Sequence, residues 1–146
     1  MDQGKALKAL ENILAIINDG KFGYQNASDD VSDATLKELF HQYAQERASF
    51  AQELKNQITK IGGKASDEGD TLGALHRTWM DIKSTVSGGE RDSIITTCIT
   101  GEEKAIAVFD EEMKNVSQPD IVDLLSQQYS AIQLALHNIR SLERSL

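Results

Sequence analysis

Proline is almost missing from this chain of 146 residues, with Pro119 the single example. Its scarcity, together with few β-branched runs, removes the commonest interruptions to helix. Cysteine is as scarce: Cys98 alone excludes an intramolecular disulfide and a cysteine-based zinc site. No apolar run approaches the ~20 residues of a membrane span, so no spanning helix is expected. The N-terminal MDQGKALKAL lacks a basic region followed by an apolar one, so no signal peptide is expected and the expected location is the cytoplasm. Positive charge is also short: 15 Lys and Arg face 23 Asp and Glu, for a net charge of −8. A surface of that sign repels phosphate backbones and anionic membranes, so neither nucleic acid nor a membrane is the expected partner. What is present is ordinary for a globular chain, 40% hydrophobic and 26% charged. The length suits one domain over 1–146 with one core.

Apolar spacing at steps of three and four predicts five helical segments. The first covers about 3–27, with Leu7, Leu10, Ile13, Leu14, Ile17 and Tyr24 on one stripe and Gly20 and Gly23 interrupting it. Ala27-Ser28-Asp29-Asp30 reads as a turn and cap. The second covers about 33–61, capped by Ser32 or Asp33 and stopped by Gly62-Gly63. Its stripe is Leu36, Phe40, Tyr43, Arg47, Phe50, Leu54, Ile58 and Ile61. The third, about 70–87, carries Leu72, Leu75, Trp79, Ile82 and Val86 and ends at Gly88-Gly89. The fourth covers about 90–116, with Ile95, Cys98, Glu102, Ala105 or Ile106, Phe109, Met113 and Val116. The fifth covers about 119–145, opening on Pro119, with Ile121, Leu125, Gln128, Ile132, Ala135 or Leu136, Ile139, Leu142 and Leu146.

The long segments span roughly 40 Å and the third roughly 27 Å. Short links at 28–32 and 117–118 make the first two segments, and the last two, antiparallel neighbours. A third segment too short for its neighbours, with glycine pairs on both sides, favours a crossover. The expected fold is all-α: a ferritin-like, up-down-down-up four-helix bundle with a helical crossover at about 70–87. A five-helix up-down bundle is the competing arrangement.

Three stretches carry a resemblance: Asp19-Gly20-Lys21-Phe22-Gly23-Tyr24, Gly73-Ala74-Leu75-His76-Arg77-Thr78-Trp79-Met80, and Cys98 followed by Gly101-Glu102-Glu103. With them the chain resembles, over nearly its whole length, a bacterial family of ferritin-like four-helix-bundle proteins catalogued as a domain of unknown function. The resemblance implies the fold and a bacterial origin, and brings no assigned activity.

Ferritin-like bundles hold two irons with one Glu from each of two helices and a Glu-x-x-His from each of the others. Glu38-Leu39-Phe40-His41 fits that spacing, because residues three apart share a helical face. Glu38, His41 and Glu102 are therefore the metal candidates, with iron the metal. Against them, His137 has Leu134 three residues before it, so the second motif is missing. Glu38 and His41 also lie near a helix end while Glu102 is mid-helix. No cofactor is the main expectation.

Arg47, Glu102 and Gln128 fall on apolar stripes, and buried charge must be paired. Counted from the shared end, Arg47 and Glu102 differ in height by ~5 Å, so an ion pair or a network through Gln128 is expected. Arg47 snorkelling to water is the bland alternative. Cys98 on its stripe reads as a buried, inert thiol. The Gly20 and Gly23 strip reads as a place of close approach. His76 and Arg77 sit near a helix N-terminus that favours anions. The reading preferred for them is structural, with Trp79 filling a groove and His76-Arg77 bonding to Asp19 and Tyr24 as a crossover anchor. His41 and His137 read as surface or boundary residues, and a phosphotransfer His76 as the least favoured alternative.

The expected function is a non-catalytic cytoplasmic bundle acting as a homo-oligomer or through a protein partner. Any link to stress rests on family analogy alone. The alternative is a metal-binding or di-iron-type oxidoreductase relative.

Overall fold

Apolar residues at helical spacing settle into four long helices in the computed structural model, which describes residues 3–64 and 91–144. They are α1 (Gln3–Asp30), α2 (Ala34–Lys60), α3 (Arg91–Glu112) and α4 (Pro119–Arg144), with a short 3-10 turn, Met113–Asn115, after α3. The expected crossover helix, and with it His76, Arg77 and Trp79, lies outside the described residues.

Local chemistry fixes the ends. Asp33 caps α2, its side chain accepting from the Leu36 N–H at 3.0 Å. At the other end Gly62 takes φ +95°, which only glycine adopts cheaply. That turn lets the Gly62 N–H reach the Thr59 carbonyl (3.0 Å) and the Gly63 N–H reach the Ile58 carbonyl (2.8 Å). Two orphan carbonyls of α2 are thereby satisfied. Pro119 opens α4, where a missing N–H costs nothing.

Two boundaries differ from the sequence reading. α1 runs on through Ser28, Asp29 and Asp30, which were expected to form a turn. Lys37 explains the extra turn: its Nζ donates to the Ser28 carbonyl at 2.5 Å, and the Ser28 hydroxyl donates back to the Lys37 carbonyl at 2.9 Å. A cation at a helix C-terminus is favourable. α3 stops at Glu112, short of the expected 116, and tightens into the 3-10 turn.

Side-chain contacts set the topology. Asn12, early in α1, donates to Glu112 at the end of α3 (3.0 Å). Lys60, at the end of α2, pairs with Asp120 at the start of α4 (3.3 Å). The start of α1, the end of α2, the end of α3 and the start of α4 thus share one end of the bundle, which makes it up-down-down-up. α1 packs most extensively on α2 and then on α3, α3 packs on α4, and a thinner α2–α4 contact closes the ring. No described helix is long and apolar enough to cross a membrane.

The core comes in two parts. Leu10, Ile13, Ile17, Leu54, Ile58, Phe109 and Leu125 belong to the cluster nearer the α1 start. Tyr24, Val31, Leu36, Phe40, Ile95, Cys98 and Ile139 belong to the other. Each large apolar side chain so buried contributes ~1.5–3 kcal/mol. Between them α1 is buried at every position from Ile13 to Gly20, including the polar Asn18 and Asp19.

Candidate functional site

A polar layer divides the two apolar clusters. Asp19, Arg47 and Glu102 are all buried there, and Gln128 is buried about one turn away, within the first cluster. Arg47 lies on the inward stripe of α2, between Ala44 and Ala51. Glu102 lies on that of α3, between Cys98 and Ala105. Helical periodicity aims both at the bundle axis, and the antiparallel register of α1 against α2 and α3 brings them level.

Arg47 Nη2 and Glu102 Oε2 form an ion pair, with both side chains 0% exposed. The Tyr24 hydroxyl donates to the same carboxylate oxygen at 2.6 Å. The Arg47 guanidinium carbon lies 5.3 Å from the centre of the Tyr24 ring, so the ring face also meets the cation. Phe40 and Tyr43 flank that ring, at centroid distances of 5.9 and 5.2 Å. Gly20 makes the room: a Cβ there would stand 2.8 Å from Arg47 Nη1. Nε and Nη1 of Arg47 and Oε1 of Glu102 have no hydrogen-bond partner among the described residues.

Burial governs the proton affinities in this layer. It works against the charged guanidinium of Arg47, but the Glu102 carboxylate outweighs it and holds Arg47 above its ordinary value. Burial, then the Glu102 charge, pushes the Tyr24 phenol well up, so Tyr24 remains a neutral donor. The same two causes push the Cys98 thiol well up, which leaves little of the nucleophilic thiolate. Burial raises the Asp19 carboxyl to about 7. Tyr24 and Cys98 thus keep their protons, while Asp19 exchanges its proton near neutral pH.

The structure brings together Arg47 and Glu102 from the residues singled out by sequence, and separates others. Gln128 is not joined to the pair: its amide donates to the Phe50 carbonyl (3.3 Å) and to Glu53 (3.1 Å), one turn along α2. Glu38 and His41 are exposed, on the face of α2 opposite Leu36 and Phe40, and Glu38 takes a hydrogen bond from Gln42 (3.3 Å). They do not converge on the buried Glu102. Cys98 is buried in the apolar cluster beside Tyr24, and His137 is exposed. Tyr24, assigned by sequence to a crossover anchor, turns its hydroxyl to Glu102. The signal for this was available: Gly20 and Tyr24 are four apart on one face of α1, near the height of Glu102.

A di-iron centre does not fit these residues. It needs carboxylates and imidazoles converging from several helices. Here a guanidinium already occupies Glu102, one of the two carboxylates buried in the layer. Among the described residues no three of His, Cys, Asp and Glu are placed to hold a metal.

The family model described as a domain of unknown function (DUF2383) matches residues 5–139. The chain belongs to the DUF2383 family. Among curated protein sequences nothing matches it. Among solved structures this DUF2383 chain is similar to a mutant of Dps1 from Mycobacterium smegmatis, with a TM-score of 0.81 at 15% identity, covering 98% of this chain and 99% of that one. It is also similar to Dps92 from Deinococcus radiodurans, with a TM-score of 0.78 at 18% identity, covering 96% and 86%. Both likenesses show the ferritin-like four-helix fold.

Proposed function

We propose that this DUF2383 chain is a non-catalytic helical-bundle protein of the cytoplasm that acts through its surface, by self-association or by holding a protein partner. The observation that carries the reading is the Arg47–Glu102–Tyr24 cluster. Ferritin-like proteins build metal chemistry from side chains facing the middle of the bundle. Here that position goes to a cation covalently part of the chain. A carboxylate paired with a guanidinium and hydrogen-bonded by a phenol is a poor ligand, because a metal would have to displace both. With the interior closed in this way, recognition is left to the exposed faces.

Elemental analysis tests the reading against a metal-binding or di-iron oxidoreductase role. Purified protein is loaded with ferrous iron under reducing conditions, desalted and assayed for metal. The expected result is no stoichiometric iron and no rapid oxidation on exposure to air. Two irons retained per chain would overturn the proposal.

A further inference from the structure

We infer that the outer face of α4 is where a second copy of this chain docks, an inference that rests on the self-association reading above. From Leu124 to Ile139, α4 has no Asp, Glu, Lys or Arg, in a chain that is 26% charged. The exposed residues there include Ser130, Gln133, Leu134 and His137. Leu134 is 61% exposed and is the one large hydrophobic residue so placed among the described residues. α3 differs: its exposed positions include Glu103, Lys104, Asp110 and Glu111.

Electrostatics selects the occupant. Two copies at −8 each repel wherever their charged faces approach. A neutral face is the one place where that cost is least. Serine and glutamine side chains both donate and accept, so such a face is complementary to itself, as a two-fold contact requires. A basic partner would be drawn to the acidic sides and would gain nothing from this one. At 1.5 Å per residue the neutral stretch is roughly 24 Å long. One helix face falls short of the ~800 Å² per partner of a standard interface, so the dimer is weak, on the order of micromolar or above.

Sedimentation equilibrium on the full chain tests this at low and at physiological salt. Wild type is expected to dimerise reversibly. It should do so more tightly at physiological salt, because the Debye length shrinks from about 30 Å at 0.01 M to about 8 Å and screens the repulsion. Leu134→Asp and, separately, Ser130→Glu should weaken the dimer about tenfold or more. Gln25→Glu, at an exposed position of α1, adds one negative charge elsewhere and should leave it within about twofold. Circular dichroism checks that each variant is folded. A dimer indifferent to both α4 substitutions overturns this inference and leaves self-association standing, as does a dimer that salt weakens. A wild type monomeric at both salts overturns self-association, and this inference with it.

Discussion

Glu102 and Glu103 are neighbours on α3, and each takes an arginine. Glu102 pairs with Arg47 from α2, both 0% exposed, while Glu103 pairs with Arg140 from α4, at 51% and 43%. One step along a helix turns a side chain by about 100°, enough to send one glutamate inward and the next to water. The chemistry of the two pairs is the same and their energetics are opposite. The outer pair exchanges good solvation for a contact of similar worth, and its net value is ~0–1 kcal/mol. The inner pair has given up solvation for both ions, so each depends on the other. With Arg47 Nε and Nη1 and Glu102 Oε1 lacking hydrogen-bond partners among the described residues, the inner pair recovers only part of that cost. It is therefore an expensive way to fill a core, and it links α1, α2 and α3 through Tyr24, Arg47 and Glu102.

The largest break of the comparison is Arg47→Met. It strands Glu102 without its cation, and urea denaturation should show a loss of about 3–5 kcal/mol. Adding Glu102→Leu should recover most of that loss, since a well-packed apolar pair is often as stable as the ions it replaces. A single variant that loses less than about 1 kcal/mol would show that water reaches the pair. Tyr24→Phe removes a neutral donor to a buried carboxylate and should cost about 1.5–3 kcal/mol in the same measurement.

Gly20→Ala sets a Cβ against Arg47 Nη1 and should cost about 1–3 kcal/mol through overpacking. In an Arg47→Ala background the obstacle is gone. The same change should then be neutral or favourable, by up to ~1 kcal/mol of helix propensity. A double-mutant cycle without coupling would refute the assignment of Gly20 as the space for the guanidinium.

Asp19 sharpens the contrast within the buried layer. Its folded pKa, about 7, lies above its ordinary 3.8 because burial disfavours the charge. The folded chain binds that proton more tightly than the unfolded one. Its contribution is thus full below pH ~4 and lost as pH rises through ~7. Melting temperatures across that window should decline less steeply in Asp19→Asn than in wild type. An unchanged slope would mean that Asp19 does not carry it. The smallest effect belongs to the outer pair: Arg140→Ala should change stability by no more than ~1 kcal/mol, and less as salt is raised.

Much of this was legible in the sequence. Spacing alone marks the helices, and Asp33, Gly62 and Pro119 mark ends because capping chemistry is local. Counting residues from a shared end puts Arg47 and Glu102 within ~5 Å of one height, because helix rise is constant. Less legible was anything resting on contacts between helices. The last turn of α1 survives because Lys37, across the hairpin, supplies a donor to it. Gln128 reaches Phe50 and Glu53 because of how α4 sits against α2, which no spacing within α4 records. Glu38-x-x-His41 has a metal-ligand spacing, yet the rotation of α2 that buries Phe40 turns those side chains to solvent.

By itself the sequence determined four long amphipathic helices, the ends marked by Asp33, Gly62 and Pro119, and two charged residues bound for the interior. All of these follow from local propensity and period. Only the tertiary structure decided that Tyr24 completes the buried pair and that Gly20 leaves the space for the Arg47 guanidinium. Those depend on the rotation and closeness of three helices, which are set when all their side chains pack at once.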